Sequence, residues 1–391
     1  MSLIKNHFEI SQYKTDSWVL ETATGHFYIS DLSKQLLDIL KNSRSVQEAA
    51  TAFNNTFNFN LNEKAFVSFI DKNLGFTGLL ATTSEPVLKQ KSFIKFQFTI
   101  LKAQTAAILA KPFKPLFNKS FFWIACTGLF LLALYTLFFR EFESDTISVK
   151  MVMFLYFITI VLHELGHIAV CKRFTGKNGE IGGGLYLIFP VLYSNISALW
   201  HASKLERVIG NLAGVYMQLW CLLLCFGYLY FYPKNGTVNE MAYMLALYSL
   251  IQLLPFIRSD GYWLLSDLTS TPNLLKKSNE TGKLFFTHTK LFFKKEDFSK
   301  NIGLLFYAAF NTLLIFYFVV YQLFLKWEEV LAFPQYIWEI ILQLIQLEIP
   351  DFKTQYISIL IVYILVFRYL QRALKALFEP KISKKDHTHS D

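Results

Sequence analysis

Charge is the scarcest property of this sequence. Of its 391 residues only 17% are Asp, Glu, Lys or Arg, where an ordinary soluble domain carries about a quarter, while 53% are hydrophobic and 17% aromatic. That deficit argues against a chain that is soluble throughout and implies several membrane spans beside a modest soluble part. Cysteine is scarce as well, with four in the whole sequence. Cys126, Cys171, Cys221 and Cys225 all sit in or at the end of apolar segments, so no disulfide framework and no ribbon-type metal spacing is available, and they read as packing residues. Histidine spacing suited to a metal occurs in one His-x-x-x-His only, which disfavours a di-iron hydroxylase. The polar first residues lack an apolar core ahead of a cleavage site, so no cleavable signal peptide is expected. The net charge of +9 does not indicate nucleic acid, because Lys and Arg cluster beside the apolar runs, where they orient a membrane protein.

What is present is one dense signal. His163-Glu164-Leu165-Gly166-His167 lies inside the apolar run from Val149 to Val170. Residues four apart stack on one helix face, so the two histidines can present imidazole nitrogens to one metal. Glu164, beside the open coordination position, can take a proton from a metal-activated water and pass it to a leaving amine. The spacing is that of a zinc peptidase. Ionisable groups at membrane depth are expensive without a task, so two chance histidines on an apolar helix are the weaker reading. Such a site needs a third protein ligand. Leu253-Leu254-Pro255-Phe256-Ile257-Arg258-Ser259-Asp260-Gly261 closes a later hydrophobic segment with a carboxylate and a turn that glycine permits.

Together these two elements resemble the site-2 protease family of intramembrane zinc metalloproteases. The resemblance implies that Asp260 joins His163 and His167 as the third Zn2+ ligand, that Glu164 is the catalytic base, and that Gln252 and Pro255 help position substrate. Gln252 stands where that family usually carries Asn. Ile181-Gly182-Gly183-Gly184 through Leu199 is apolar, but its glycines and Pro190 argue against a straight helix. A re-entrant strand or hairpin beside the metal is expected there, its edge holding an extended substrate, with Gly183 and Asn195 as substrate-binding positions. Pro190-Val191-Leu192-Tyr193 leading to Trp200, and Tyr262-Trp263-Leu264-Leu265-Ser266-Asp267 before Pro272-Asn273-Leu274, resemble the branch of the family tied to peptide maturation. Ser194-Asn195 stands where an acidic residue is expected after the Tyr. His201 beside Trp200 is a conceivable extra ligand, but a lone His in that setting is more often a satisfied interfacial residue.

Near the N-terminus, Phe8 to Gln12, Trp18 to Glu21 and His26 to Ser30 read as short strands. Helices capped by Asp31, Ser45 and Asn62 are expected to follow. Three strands then three helices resemble the PqqD-like domain, which implies recognition of a precursor peptide's leader, taken up as an extra strand on a sheet edge. A winged-helix module with another role is the alternative.

The expected fold is mostly α: a polytopic membrane protein of about six transmembrane helices and a re-entrant element, with a small α+β winged-helix-like N-terminal domain. Residues 1–80 form that domain, 81–120 a basic-aromatic linker along the headgroups, 121–375 the protease domain and 376–391 a polar tail. Spans are expected near 121–139, 150–170, 205–232, 240–257, 302–325 and 356–369, the third carrying Asn211, Gly214 and Gln218 on one side. The acidic Glu141, Glu143 and Asp145 mark the far side of the first. Basic flanks place both termini in the cytoplasm and the metal near the cytoplasmic face, in a bacterial inner membrane. The function implied is cleavage of a precursor peptide during maturation of a ribosomally synthesised product, with the leader-bearing peptide, the bilayer and an exporter as partners. Alternatives are regulated intramembrane proteolysis of a membrane-anchored signalling protein, or a non-enzymatic exporter or immunity protein with structural zinc.

Overall fold

The computed structural model describes residues 4, 8–14, 16–23, 25–80, 94–140, 146–186, 189–255, 258–293, 298–346 and 355–378. The chain divides into two compact units, Met1–Pro272 and Asn273–Asp391. It is mostly helical, with a small β-sheet region at the N-terminus and four helices long and apolar enough to cross a membrane.

The first unit begins with a meander. β1 (Glu9–Lys14), β2 (Ser17–Thr22) and β3 (Gly25–Ser30) pair antiparallel in that order. Alternation along the strands sends Ile10, Trp18, Leu20, Phe27 and Ile29 to one face, where they pack with α1 (Asp31–Asn42), α2 (Val46–Phe57) and α3 (Glu63–Leu74). Leu36, Leu37, Leu40, Phe53, Phe66 and Leu74 fill that core from the helix side. Glu9, Ser11, Glu21, His26 and Tyr28 share the other face. Ser45 and Asn62 cap α2 and α3 as the sequence predicts. The first cap differs by one residue: Ser30 accepts from the Ser33 N–H, and Asp31 sits in the first turn, accepting from Trp18 Nε1 at 2.9 Å. Because β2 is central, only β3 of the two strands offered as a peptide-binding edge has an outer edge.

The stretch read as a headgroup linker contains β4 (Ile94–Leu101), and its first part, 81–93, lies outside the described residues. β4 pairs antiparallel with β5 (Glu180–Tyr186), which pairs with β6 (Phe189–Asn195). The hairpin expected after Gly182 is therefore two strands of a three-stranded sheet, with β5 in the middle. Its glycines admit neighbouring rings: a Cβ on Gly182 would stand 2.5 Å from the Tyr193 ring, and one on Gly183 2.7 Å from Phe98.

Around this sheet run α4 (Ala103–Ala110), α5 (Lys119–Phe138), α6 (Val149–Thr175), α7 (Lys204–Phe231), α8 (Gly236–Gln252) and α9 (Asp260–Leu268). α5, α6 and α7 are three of the four candidate spans. α5 buries Phe122, Leu129 and Ala133 and exposes Ile124, Leu131 and Phe138, the division expected of a helix with one face against protein and the other toward lipid. α8, at 17 residues, rises roughly 26 Å, at the lower limit for crossing. Glu141, Glu143 and Asp145 lie outside the described residues.

The second unit holds α10 (Leu274–Thr287), α11 (Thr289–Phe292), α12 (Phe298–Val320), α13 (Trp327–Ile345) and α14 (Gln355–Phe378). A π turn, Tyr321–Leu325, extends α12 into the fourth candidate span. Phe333 and Tyr336 of α13 pack on Ile359 of α14. α14 covers the sixth expected span but is not among the four. The tail from 379 onward lies outside the described residues.

Candidate metal centre

An apolar helix carrying two histidines must give them partners, and α6 and α7 supply these by close approach. The α6·α7 crossing is tight at two glycines. A Cβ on Gly166 would stand 2.7 Å from the Ala213 carbonyl oxygen, and one on Gly214 would stand 2.3 Å from the His163 ring. The space that Gly214 leaves is filled by that imidazole.

His163 Nε2 and His167 Nε2 lie 3.2 Å apart. Asp260 Oδ2, from the first turn of α9, lies 3.3 Å from the first and 3.6 Å from the second. Three donors bound to one tetrahedral ion at about 2.0–2.1 Å would be separated by roughly 3.3 Å, so this triangle fits a metal without rearrangement. The second ring nitrogens strengthen the case. His167 Nδ1 lies 2.8 Å from the Gly210 carbonyl oxygen, which only accepts, so Nδ1 carries the proton and Nε2 offers its lone pair. His163 Nδ1 faces Gln218 Oε1 at 3.4 Å, and that oxygen also accepts from Gln252 Nε2 at 3.0 Å. Both Nε2 lone pairs thus converge on a buried carboxylate oxygen that accepts no hydrogen bond from a described residue. Such an arrangement is repulsive until a cation joins it.

Glu164 is buried on the same turn. Its Oε2 accepts from Ser194 Oγ at 2.7 Å, and the same hydroxyl lies 3.0 Å from the Glu164 backbone oxygen. Ser194 belongs to β6, so the hairpin's edge strand lies against the carboxylate.

Asp260 is placed from both sides. Gly261 has no positive φ; it is needed for close approach, since a Cβ there would stand 2.1 Å from the Leu253 carbonyl oxygen. Farther along α9, Asp267 accepts from Arg207 Nε and from Asn211 Nδ2, both at 2.7 Å. Arg207 is only 6% exposed, so this is a buried ion pair that pins α9 to α7.

The fold brings His163, Glu164, His167, Asp260 and Gln252 into one neighbourhood. Gly183 lies instead in the central strand β5, its backbone between β4 and β6. Asn195 ends β6, where its Oδ1 accepts from Ser197 Oγ at 2.7 Å. Pro255 lies between α8 and α9, next to residues 256–257, which are outside the described set. Two functional positions escaped the sequence reading in their roles. Helical spacing puts Gln218 on one side of its helix with Asn211 and Gly214, yet its contact with His163 needs the register between α6 and α7. Ser194 stands in the sequence only as half of the Ser194-Asn195 pair where an acidic residue is expected, and its bond to Glu164 needs the fold.

Gln218 faces the Nδ1 of one candidate ligand, and its replacement gives a direct expectation. Gln218→Leu should weaken metal affinity about 10–100-fold, the usual size for loss of such a partner, as read by competition with a chelator of known affinity. Wild-type affinity in this variant would mean that the 3.4 Å contact does not set the imidazole.

Over 118 residues, 29% of its length, the chain is 34% identical to "Putative peptide zinc metalloprotease protein YydH" of Bacillus subtilis (strain 168). The likeness is distant and partial. The matched part covers 46% of that relative, so the chain spans less than half of its length. No family model matches the chain, and no solved structure does.

Proposed function

We propose that this chain is an intramembrane zinc metalloendopeptidase of the site-2 protease type that cuts a precursor peptide during maturation of a ribosomally synthesised product. The observation that carries the reading is the buried triangle of His163, His167 and Asp260 with Glu164 on the same helical turn. The partial likeness to a protein named as a peptide zinc metalloprotease supports both the metal and the reaction class.

His163, His167 and Asp260 would hold Zn2+, which when bound acts as a Lewis acid and lowers the pKa of water to about 7. The work of the protein's own groups follows from their placement. Ser194 donates to Glu164 Oε2 and so leaves the other carboxylate oxygen to accept the proton of the attacking water. The same carboxyl then delivers that proton to the leaving amine. β6 has an outer edge beside α6, where an extended peptide can lie as a further strand with its scissile bond near Glu164.

Residues 1–80 are proposed as the reader of the leader, using the outer edge of β3. Residues 121–375 are proposed as the protease domain, with β4 of the preceding stretch completing its sheet. Both termini and the metal are placed on the cytoplasmic side, in keeping with Lys172 and Arg173 at the last turn of α6. An exporter that takes up the cut product is a further proposed partner.

The test is metal content together with cleavage. Replacing both His163 and His167 by Ala should remove the ion of this site and abolish cleavage of the precursor peptide. A double variant that still cuts at the wild-type rate would sink the proposal.

A further inference from the structure

The outer face of the N-terminal sheet does not face solvent alone; it docks on the segment that follows β6. Trp200 lies against Tyr28 and His26, with ring centroids 5.3 and 5.5 Å apart, and the Arg207 guanidinium lies 4.5 Å from the Tyr13 ring. At the centre of this contact are three potential ligands. Glu21 and His26 are direct cross-strand partners on β2 and β3, so their side chains rise from the same face side by side. His201, at the end of the 3-10 turn Ser197–His201, comes down on them from the other side.

We infer that Glu21, His26 and His201 form a second metal site, suited to Zn2+ or a similar borderline cation, that clamps the N-terminal domain onto the catalytic part of the chain. His201 Nε2 lies 3.0 Å from Glu21 Oε2, and His26 Nε2 lies 3.6 Å from Glu21 Oε1. All three donors fall within 4.8 Å of one another. The two histidines approach different oxygens of the Glu21 carboxylate, so the donors must draw in slightly to reach the roughly 3.3 Å edges of a tetrahedral site with bonds near 2.0–2.1 Å. The remaining nitrogen of His201 is provided for as well. Its Nδ1 lies 2.7 Å from Ser11 Oγ, so that hydroxyl can accept the Nδ1 proton and turn the Nε2 lone pair toward the ion.

Three protein ligands leave a coordination position open, which sets this site apart from closed four-ligand structural sites and makes its ion exchangeable. The neighbouring charges are Glu9 and Lys177. Lys177 Nζ pairs with Glu9 at 2.6 Å and lies farther from Glu21, at 3.9 Å. The hydrogen bond it donates to Glu9 holds the ammonium above its ordinary pKa. Lys177 therefore neutralises Glu9 chiefly and leaves the Glu21 carboxylate to a cation, while weakening the site as a competitor. This inference is independent of the proposed protease activity, because none of its ligands belongs to the first triangle.

The experiment titrates the full-length protein with zinc at buffered free concentrations and counts bound ions. Wild type is expected to bind two per chain. His26→Ala with His201→Ala should bind one, and so should His163→Ala with His167→Ala, while the fourfold variant binds none. Glu21→Gln keeps the shape of the contact and serves if the double variant does not fold; it should weaken the second equivalent at least about tenfold. Lys177→Gln should strengthen it. A cobalt titration adds a signature, since the second equivalent should bring tetrahedral absorption bands that vanish in the His26/His201 variant. If loss of His26 and His201 leaves the number of bound ions at the wild-type value, the site does not exist. The His163/His167 variant distinguishes that failure from a failure of the protease reading.

Discussion

Glu164→Gln is expected to keep the ion held by His163, His167 and Asp260 and to lower peptide cleavage by at least about a hundredfold, the lower end of general acid–base contributions. Glutamine has the length of glutamate, and its amide oxygen can still accept from Ser194 Oγ, so the turn of α6 and the 2.7 Å contact should persist. What it cannot do is accept a proton from water. The barrier should therefore rise by about 2.7 kcal/mol or more with no change in ligand geometry. Metal content and turnover measured on the same preparation check this. Unchanged cleavage would remove Glu164 from the mechanism, and a zinc-loaded chain that cleaves nothing in any variant would favour the exporter or immunity reading.

Removal of residues 1–80 is expected to abolish the preference for a leader-bearing peptide over a leaderless one. A peptide held on the β3 edge works at an effective concentration set by its tether, and such tethering is worth about 10²–10⁴ in apparent affinity. The deletion also strips Lys177, His201 and Arg207 of the partners that Glu9, Glu21 and Tyr13 provide. Turnover of the leaderless peptide is therefore the control for damage to the site. If the truncated enzyme retains the preference, the leader is read elsewhere and the winged-helix alternative takes over for the domain.

The metal centre was open to sequence reading to the extent that it is local. His163 and His167 are one helical turn apart, and that spacing survives any tertiary arrangement. Asp260 is named only through the family resemblance of the segment that ends in Asp260-Gly261, and the fold does bring its oxygen to the histidines. What was hidden depends on pairing between distant segments. Lys95 with Phe96 and Phe98 suits a headgroup layer as well as it suits a strand, and only pairing with the glycines of β5 makes this stretch β4. Ser194 reaches Glu164 because β6 lies against α6, a packing that cannot be read from a serine. The docking of the N-terminal sheet was masked differently. Glu9, Glu21 and His26 have the look of an ordinary solvated strand face, and the groups that meet them lie 168 to 180 residues away. Spacing put Gly261 at a turn, whereas its physical requirement is the Leu253 carbonyl pressed against it.

The ion pair between Arg207 and Asp267 bears on how a substrate enters. α9 carries Asp260 at one end, and near the other Asp267 is bonded to Arg207 and Asn211, with Lys204 Nζ on the Leu268 carbonyl oxygen at 2.6 Å. Swinging α9 aside would strand a buried guanidinium, at a cost of about 3–5 kcal/mol. A gate on that side would stand open in only on the order of one chain in a thousand. The hairpin side has no comparable lock: Ser194 is a neutral donor whose hydrogen bond is worth about 1.5–3 kcal/mol even to a carboxylate. Traffic to the centre should therefore pass by β6, with α9 acting as the fixed wall on the opposite side.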